Sequence, residues 1–284
     1  MKVTKDVDFG LLTMKGPDKT VNEDYIEFTT SNLNRDDEVH ILLVADGMGG
    51  HAFGDVASFY ASNYILKWWR NKLLQHDHPD RFLEDCQDTI GGIFQVINQK
   101  LIEIGQRENY HLGTTLSVII MVKDKYLVCH VGDTRIYRMR KKADIKLDDN
   151  DETIDLNQSK SFVQLTKDHS WARMQVENGS MTEIEAENDD KSHLLTQCIG
   201  VKGDINPYIS MDTILEQDQF ILCTDGLHSL FTQDEMYKHL REGLEQDTPL
   251  QNTAEYLIEF ARNAPYQDDV SILIFAPKGR TDVP

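Results

Sequence analysis

The hydrophobic period of this chain switches sharply near residue 110. Leu83, Cys86, Ile90, Phe94, Ile97, Leu101 and Ile104 recur at three and four residues, the single apolar stripe of an amphipathic helix. Directly afterwards, Thr115–Val122 and Tyr126–Val131 are apolar and rich in β-branched residues, with Lys123–Lys125 as a polar turn, the pattern of a β-hairpin. Val39–Ala45 is a similar, nearly unbroken apolar run, typical of a strand buried on both faces. Two sheets covered by helices account for strands of this kind.

The remaining elements follow the same logic. Phe9–Met14 and Tyr25–Thr30 read as strands, with Lys15–Lys19 as a turn between them, and residues 54–75 read as a helix. After a turn at Gly132-Asp133, Thr134–Met139 continues as strand. Phe162–Leu165 is another strand, Ile209–Leu215 and Gln219–Cys223 read as a strand pair, and Val270–Phe275 is the last strand. Thr182–Glu185, Thr232–Glu235 and Thr248–Gln251 have capping-box form. The third carries Pro249 at the expected first helical position, and its helix should run to about Ala264. Lys141–Lys160 is polar and mostly acidic and reads as a solvated loop. His76 and His78 read as part of a polar linker. The order of strands, two helices, strands, two helices and a strand predicts an α+β layered domain and not a doubly wound βαβ fold. No internal repeat, Gly/Ser-rich linker or domain boundary divides residues 1–284, so a single domain is expected.

Charge narrows the function. Lys and Arg number 29 against 48 Asp and Glu, a formal charge of −19. Such a surface repels a phosphate backbone, which argues against nucleic acid or an anionic membrane as the main partner. The four cysteines, Cys86, Cys129, Cys198 and Cys223, form no C-x-x-C pair and fit no zinc site, so they read as small buried hydrophobes. Met1–Gly10 has no signal-peptide core, and Ile41–Ala45 and Val118–Val122 are too short to span a bilayer, so a soluble cytoplasmic protein is expected.

Several carboxylates stand at the tips of apolar strands. Ile41–Ala45 leads into Asp46-Gly47, and Phe220–Thr224 into Asp225-Gly226. Asp268-Asp269 precede the last strand, Asp133 follows Gly132, and Glu23-Asp24 precede the second strand. Each Asp-Gly is also an ordinary turn pair. Converging at one sheet edge, however, such carboxylates are costly unless cations neutralise them, and an oxygen-only ligand set suits Mg²⁺ or Mn²⁺.

Val44-Ala45-Asp46-Gly47-Met48-Gly49-Gly50-His51 resembles the most characteristic segment of the bacterial metal-dependent protein Ser/Thr phosphatases of type 2C. Other segments follow in family order: Asn22-Glu23-Asp24, Gly113-Thr114-Thr115, Val131-Gly132-Asp133-Thr134-Arg135, Leu165–Ser170, Leu195-Thr196, Cys223–Leu227 and Asp268–Ser271. The match spans about Asp8 to Phe275.

The resemblance implies a four-layer α-β-β-α sandwich, with two central antiparallel sheets flanked by helix pairs and a flap over about residues 168–193. It implies a dinuclear Mn²⁺ or Mg²⁺ centre at which an activated water hydrolyses phosphoserine and phosphothreonine. Asp46 would bridge the metals. Gly47, through its carbonyl, with Asp225 and Asp268 would complete the inner set, Glu23 and Asp24 would act directly or through water, and Asp133 would hold a third metal. Lys19 stands where the family usually has a phosphate-clamping Arg, Ser229 where an Asp is frequent, and Asp269 where Asn is common. His51 follows the Asp-Gly loop and is the candidate proton donor to the leaving alkoxide, orientation of that loop being its plainer role. The implied partners are phosphorylated proteins, with Ser/Thr kinases and their targets among them. The departures at Lys19 and Ser229 keep open a catalytically weak protein of the same fold acting as a regulatory binding module.

Overall fold

The computed structural model describes residues 7–48, 53–140, 161–187, 189–201, 203–215, 218–245, 248–264 and 268–277. The chain forms β1 (Val7–Met14), β2 (Asp24–Asn32), β3 (Glu38–Met48), α1 (Gly54–Leu73), α2 (Pro79–Glu108), β4 (Gly113–Thr114), β5 (Leu116–Val122) and β6 (Lys125–Val131). There follow β7 (Arg135–Met139), β8 (Phe162–Gln164), α3 (Trp171–Glu177), α4 (Glu183–Glu187), β9 (Tyr208–Thr213) and β10 (Gln219–Cys223). Last come α5 (Asp225–His228), α6 (Gln233–Glu245), α7 (Leu250–Asn263) and β11 (Val270–Pro277). The expected acidic loop, Lys141–Lys160, and His51 lie outside the described residues.

Two antiparallel sheets stack face to face. One has the order β1-β11-β10-β7-β8, and the other β2-β3-β5-β6-β9 with β4 added on β3. The unbroken apolar runs are explained by this arrangement. On β3, Ile41, Leu43 and Ala45 join the core beneath α1 and α2, whereas Leu42 and Val44 join the core between the sheets. On β10, Phe220 and Leu222 face the other sheet, and Ile221 and Cys223 face the core shared with α6 and α7. Successive residues of a strand point to opposite faces, so burying both faces requires apolar residues at every position. The layers are therefore helices, sheet, sheet, helices, as the resemblance implied.

Several expectations need correction. The segments expected as a strand pair are not paired: β9 lies beside β6 in one sheet and β10 between β7 and β11 in the other. The chain also changes sheets between β6 and β7, at Gly132-Asp133. Gly132 has φ +116°, and a Cβ there would lie 2.5 Å from Thr115 Cβ, so only glycine fits this crossing.

The capping boxes at Thr182 and Thr232 form, each threonine N–H donating to the glutamate three residues on at 2.8 Å. The third does not. Pro249 is itself the N-cap of α7 and has no side-chain acceptor, and Gln251 Oε1 instead accepts the Leu11 N–H of edge strand β1 at 3.1 Å. His76 is not merely part of a solvated linker, because its Nε2 lies 2.8 Å from Asp85 Oδ2. No described helix is long and apolar enough to cross a membrane. Cys86, Cys129 and Cys223 are buried and unbridged, and Cys198 is partly buried.

Candidate active site

Carboxylates from both sheets meet at one end of the sandwich. Asp24 opens β2 and is the register partner of Asp46, near the end of β3. Asp133 sits in the crossing from β6 to β7. Asp225 is the first residue of α5, which starts directly after β10 with Thr224 as N-cap. Asp268 and Asp269 precede β11, the strand paired with β10 and β1. In antiparallel sheets the start of one strand adjoins the end of its neighbour, which is why residues from separate motifs share this end.

The backbone around Asp46 is pinned. Its N–H donates to Thr115 Oγ1 at 2.8 Å, and its carbonyl accepts from Thr115 N at 2.8 Å and Thr114 Oγ1 at 2.9 Å. Gly47 N donates to the Glu23 carbonyl at 3.1 Å. A Cβ on Gly47 would come within 2.1 Å of the Gly54 carbonyl oxygen, so the start of α1 and this loop approach only because the residue is glycine. Glu23 Oε1 accepts the Gly54 N–H at 3.2 Å.

Asp269 organises the opposite wall. Its side chain is 1 % exposed, and its carboxylate accepts the N–H groups of Gly16 at 2.8 Å and Glu23 at 2.7 Å. The Lys19 ammonium lies 3.2 Å from Asp269 Oδ2 and 3.1 Å from Glu23 Oε2, and it also pairs with Asp268. Burial by itself would lower the Lys19 pKa, but Asp268, Asp269 and Glu23 together outweigh it and hold the group protonated. Lys19 thus stands inside the acidic cluster.

The electrostatics favour a cation. Burial, and then the charges of Asp225, Asp24, Asp133 and Asp268, push the Asp46 carboxyl well above the ordinary carboxylate range. Burial and Asp225 do the same to Asp133, and burial and Asp268 raise Asp225. Asp24 is raised by burial against the opposing hydroxyls of Ser271 and Thr224. Asp24 Oδ1 and Asp225 Oδ1 are buried without a hydrogen-bond partner. Crowded, oxygen-only, partly unpartnered donors suit a hard divalent cation. Among the described residues, no three His, Cys, Asp or Glu side chains are already gathered as a metal cage. The fit is one of donor chemistry and charge.

Residues 17–260 match the protein phosphatase 2C family. The chain belongs to the protein phosphatase 2C family. It is similar over nearly its full length to the protein phosphatase PhpP of Streptococcus pneumoniae, 28 % identical over 269 residues, covering 94 % of this chain and 96 % of that one. The serine/threonine phosphatase of S. agalactiae superposes with a TM-score of 0.77 at 25 % identity, covering 96 % of this chain and 100 % of that one. The catalytic domain of the phosphatase PstP, solved with two manganese ions, shares the fold with a TM-score of 0.72 at 23 % identity, covering 96 % of this chain and 99 % of that one.

This phosphatase 2C domain surrounds Asp133 with groups that the motifs alone do not assign. Arg135 grips Asp168 through Nε at 3.0 Å and a terminal nitrogen at 2.7 Å, tying the sheet crossing to the root of the 168–193 segment. His228 Nε2 donates to the Asp133 carbonyl at 3.0 Å. Burial, and then Arg135, lower the His228 pKa to about 3, so its imidazole is neutral. His169 Nδ1 accepts the Gly132 N–H at 3.2 Å. Arg135, Asp168 and His169 all lie in quoted motifs, but the pairing of residues 33 positions apart is not visible in sequence. Ser229 is the C-cap of α5.

Proposed function

We infer that this chain is a metal-dependent protein phosphatase that hydrolyses phosphoserine and phosphothreonine in phosphorylated proteins. The observation that carries the reading is the convergence of Asp24, Asp46, Asp133, Asp225 and Asp268 at one end of a protein phosphatase 2C fold.

Asp46, Asp225, Asp268 and the Gly47 carbonyl are the residues that would hold two Mn²⁺ or Mg²⁺ ions, with Glu23 and Asp24 reaching them directly or through water and Asp133 binding a third. When bound, the ions supply an activated water and neutralise charge developing on the phosphoryl oxygens. The chain itself supplies a buried anionic cradle and, through Lys19, a half-buried positive charge for substrate phosphate. Lys in place of Arg gives charge without a two-pronged hydrogen bond. Thiol catalysis is poorly served, because burial raises the pKa of all four cysteines and keeps them protonated.

The whole chain acts as one catalytic domain, with the 168–193 segment as its flap. It works in the cytoplasm opposite Ser/Thr kinases, whose protein products are its substrates.

The test is hydrolysis of p-nitrophenyl phosphate and a phosphothreonine peptide by purified protein with Mn²⁺, with Mg²⁺ and with EDTA. The expected result is turnover that requires metal and disappears in Asp46→Asn. A folded wild-type protein inert with every metal would instead indicate a regulatory binding module.

A further inference from the structure

Two residues inside the matched segments, Thr224 and Ser271, have no part in the ligand set above. Both are fully buried. Thr224 Oγ1 lies 2.9 Å, and Ser271 Oγ 2.7 Å, from the same oxygen, Asp24 Oδ2.

Both hydroxyls donate toward that oxygen. Ser271 N–H donates to Thr224 Oγ1 at 3.0 Å, leaving the hydroxyl proton of Thr224 for Asp24. Ser271 Oγ also lies 2.7 Å from Thr13 Oγ1, which accepts from Asn22 Nδ2 at 2.8 Å. Ser271 has one hydroxyl proton and two acceptors at 2.7 Å, Thr13 Oγ1 and Asp24 Oδ2, and shares it between them. Two hydroxyls therefore converge on Oδ2, and that of Thr224 is polarised by the Ser271 N–H behind it. The other oxygen, Oδ1, is buried and bonds to nothing. The Asp24 carboxyl as a whole is within reach of the charges of Asp269 and Asp225.

We propose that Thr224 and Ser271 are positioning residues that hold Asp24 by Oδ2 and thereby reserve Oδ1 as the oxygen it offers to the metal centre. The proposal rests on the phosphatase reading above. Asp24 belongs to one sheet, while Ser271 belongs to the other and Thr224 directly follows that sheet's β10, so the lock also sets how the two halves of the acidic cluster face each other. Hydrogen bonds of this kind, one step behind the ligands, orient metal-binding groups and govern affinity.

The experiment compares Mn²⁺ binding by calorimetry and electron paramagnetic resonance in the full chain and in Thr224→Val, Thr224→Ser and Ser271→Ala. Valine keeps the shape of threonine but removes the hydroxyl. Thr224→Val is expected to weaken Mn²⁺ binding about tenfold. Thr224→Ser should stay within about twofold of wild type, because it restores the donor. Ser271→Ala, which removes the other donor, should weaken binding about threefold even if the valine variant fails to fold. Wild-type affinity in Thr224→Val or in Ser271→Ala overturns the proposal, as does a serine variant as weak as the valine one. A wild-type protein that binds no Mn²⁺ overturns the phosphatase reading along with it, whereas wild-type binding with insensitive variants overturns this proposal alone.

Discussion

The Lys19 ammonium lies 3.2 Å from Asp269 Oδ2, the same oxygen that accepts the backbone N–H of Glu23. One buried carboxylate thus sets both the strand entrance that carries Glu23 and Asp24 and the cation beside them. Asp269 gives Lys19 a counter-charge that a neutral amide at this position would lack.

If Lys19 binds substrate phosphate, Lys19→Ala raises KM for a phosphothreonine peptide several-fold and leaves kcat within about twofold. Lys19→Arg should be tolerated or lower KM, because guanidinium binds phosphate with two prongs. Steady-state kinetics at saturating Mn²⁺ measure both. An unchanged KM in the alanine variant ends the assignment.

Asp46→Asn should abolish turnover while leaving the fold intact. In EDTA its melting temperature should be no lower than that of wild type, because the substitution removes a carboxyl whose ionisation is opposed by burial and by Asp225, Asp24, Asp133 and Asp268. Adding Mn²⁺ at about a hundred times its Kd should stabilise the wild type by about 2.7 kcal/mol and the variant by much less. Wild-type turnover by Asp46→Asn would take this residue out of the site.

Gly226→Ala tests the packing of α5 against the approach to β11. An added Cβ would lie 2.0 Å from the Asp269 carbonyl oxygen, so Asp268 and Asp269 must shift away from Asp225. The expected result is a loss of about 2 kcal/mol in urea unfolding, with turnover down at least tenfold. A variant as stable and as active as wild type would show that this contact yields freely.

His40 provides a pH test away from the carboxylates. Burial lowers its pKa to about 4, and its surroundings are the Thr30 hydroxyl at 2.9 Å and the rings of Phe28 and Phe275. An imidazole kept neutral in the fold contributes fully above the unfolded pKa of about 6.5, and that contribution is lost as pH falls toward 4. The melting temperature of EDTA-treated protein should therefore drop across this window, and His40→Phe should flatten the drop. Identical slopes for the two proteins would acquit His40.

What was legible in the sequence was whatever depends on neighbours along the chain. The unbroken run Ile41–Ala45 announces burial on two faces, and the stripe from Leu83 to Ile104 announces one covered face; both hold. The carboxylates at the strand tips were visible because strand ends are visible, and antiparallel pairing then gathers them. Sheet membership was not legible. Nothing local distinguishes β9 from β10, yet they lie in different sheets, because partner choice depends on distant strands. The four-residue helix α5 is too short to show a period. The charge of Lys19 was readable, but its partners Asp268 and Asp269 lie some 250 residues away, and the Thr224–Asp24 bond spans 200 positions.

The pairing of β1 with β11 runs from Val7 opposite Pro277 to Met14 opposite Val270, and Asp268 and Asp269 stand immediately before it. A ribosome making this protein therefore releases a chain that holds Asp24, Asp46, Asp133 and Asp225 long before it holds the residues that anchor Lys19 and the Glu23 backbone. A chain cut before Asp268 loses the partner of β1 and, with Asp269, the carboxylate that holds both Lys19 and the Glu23 N–H.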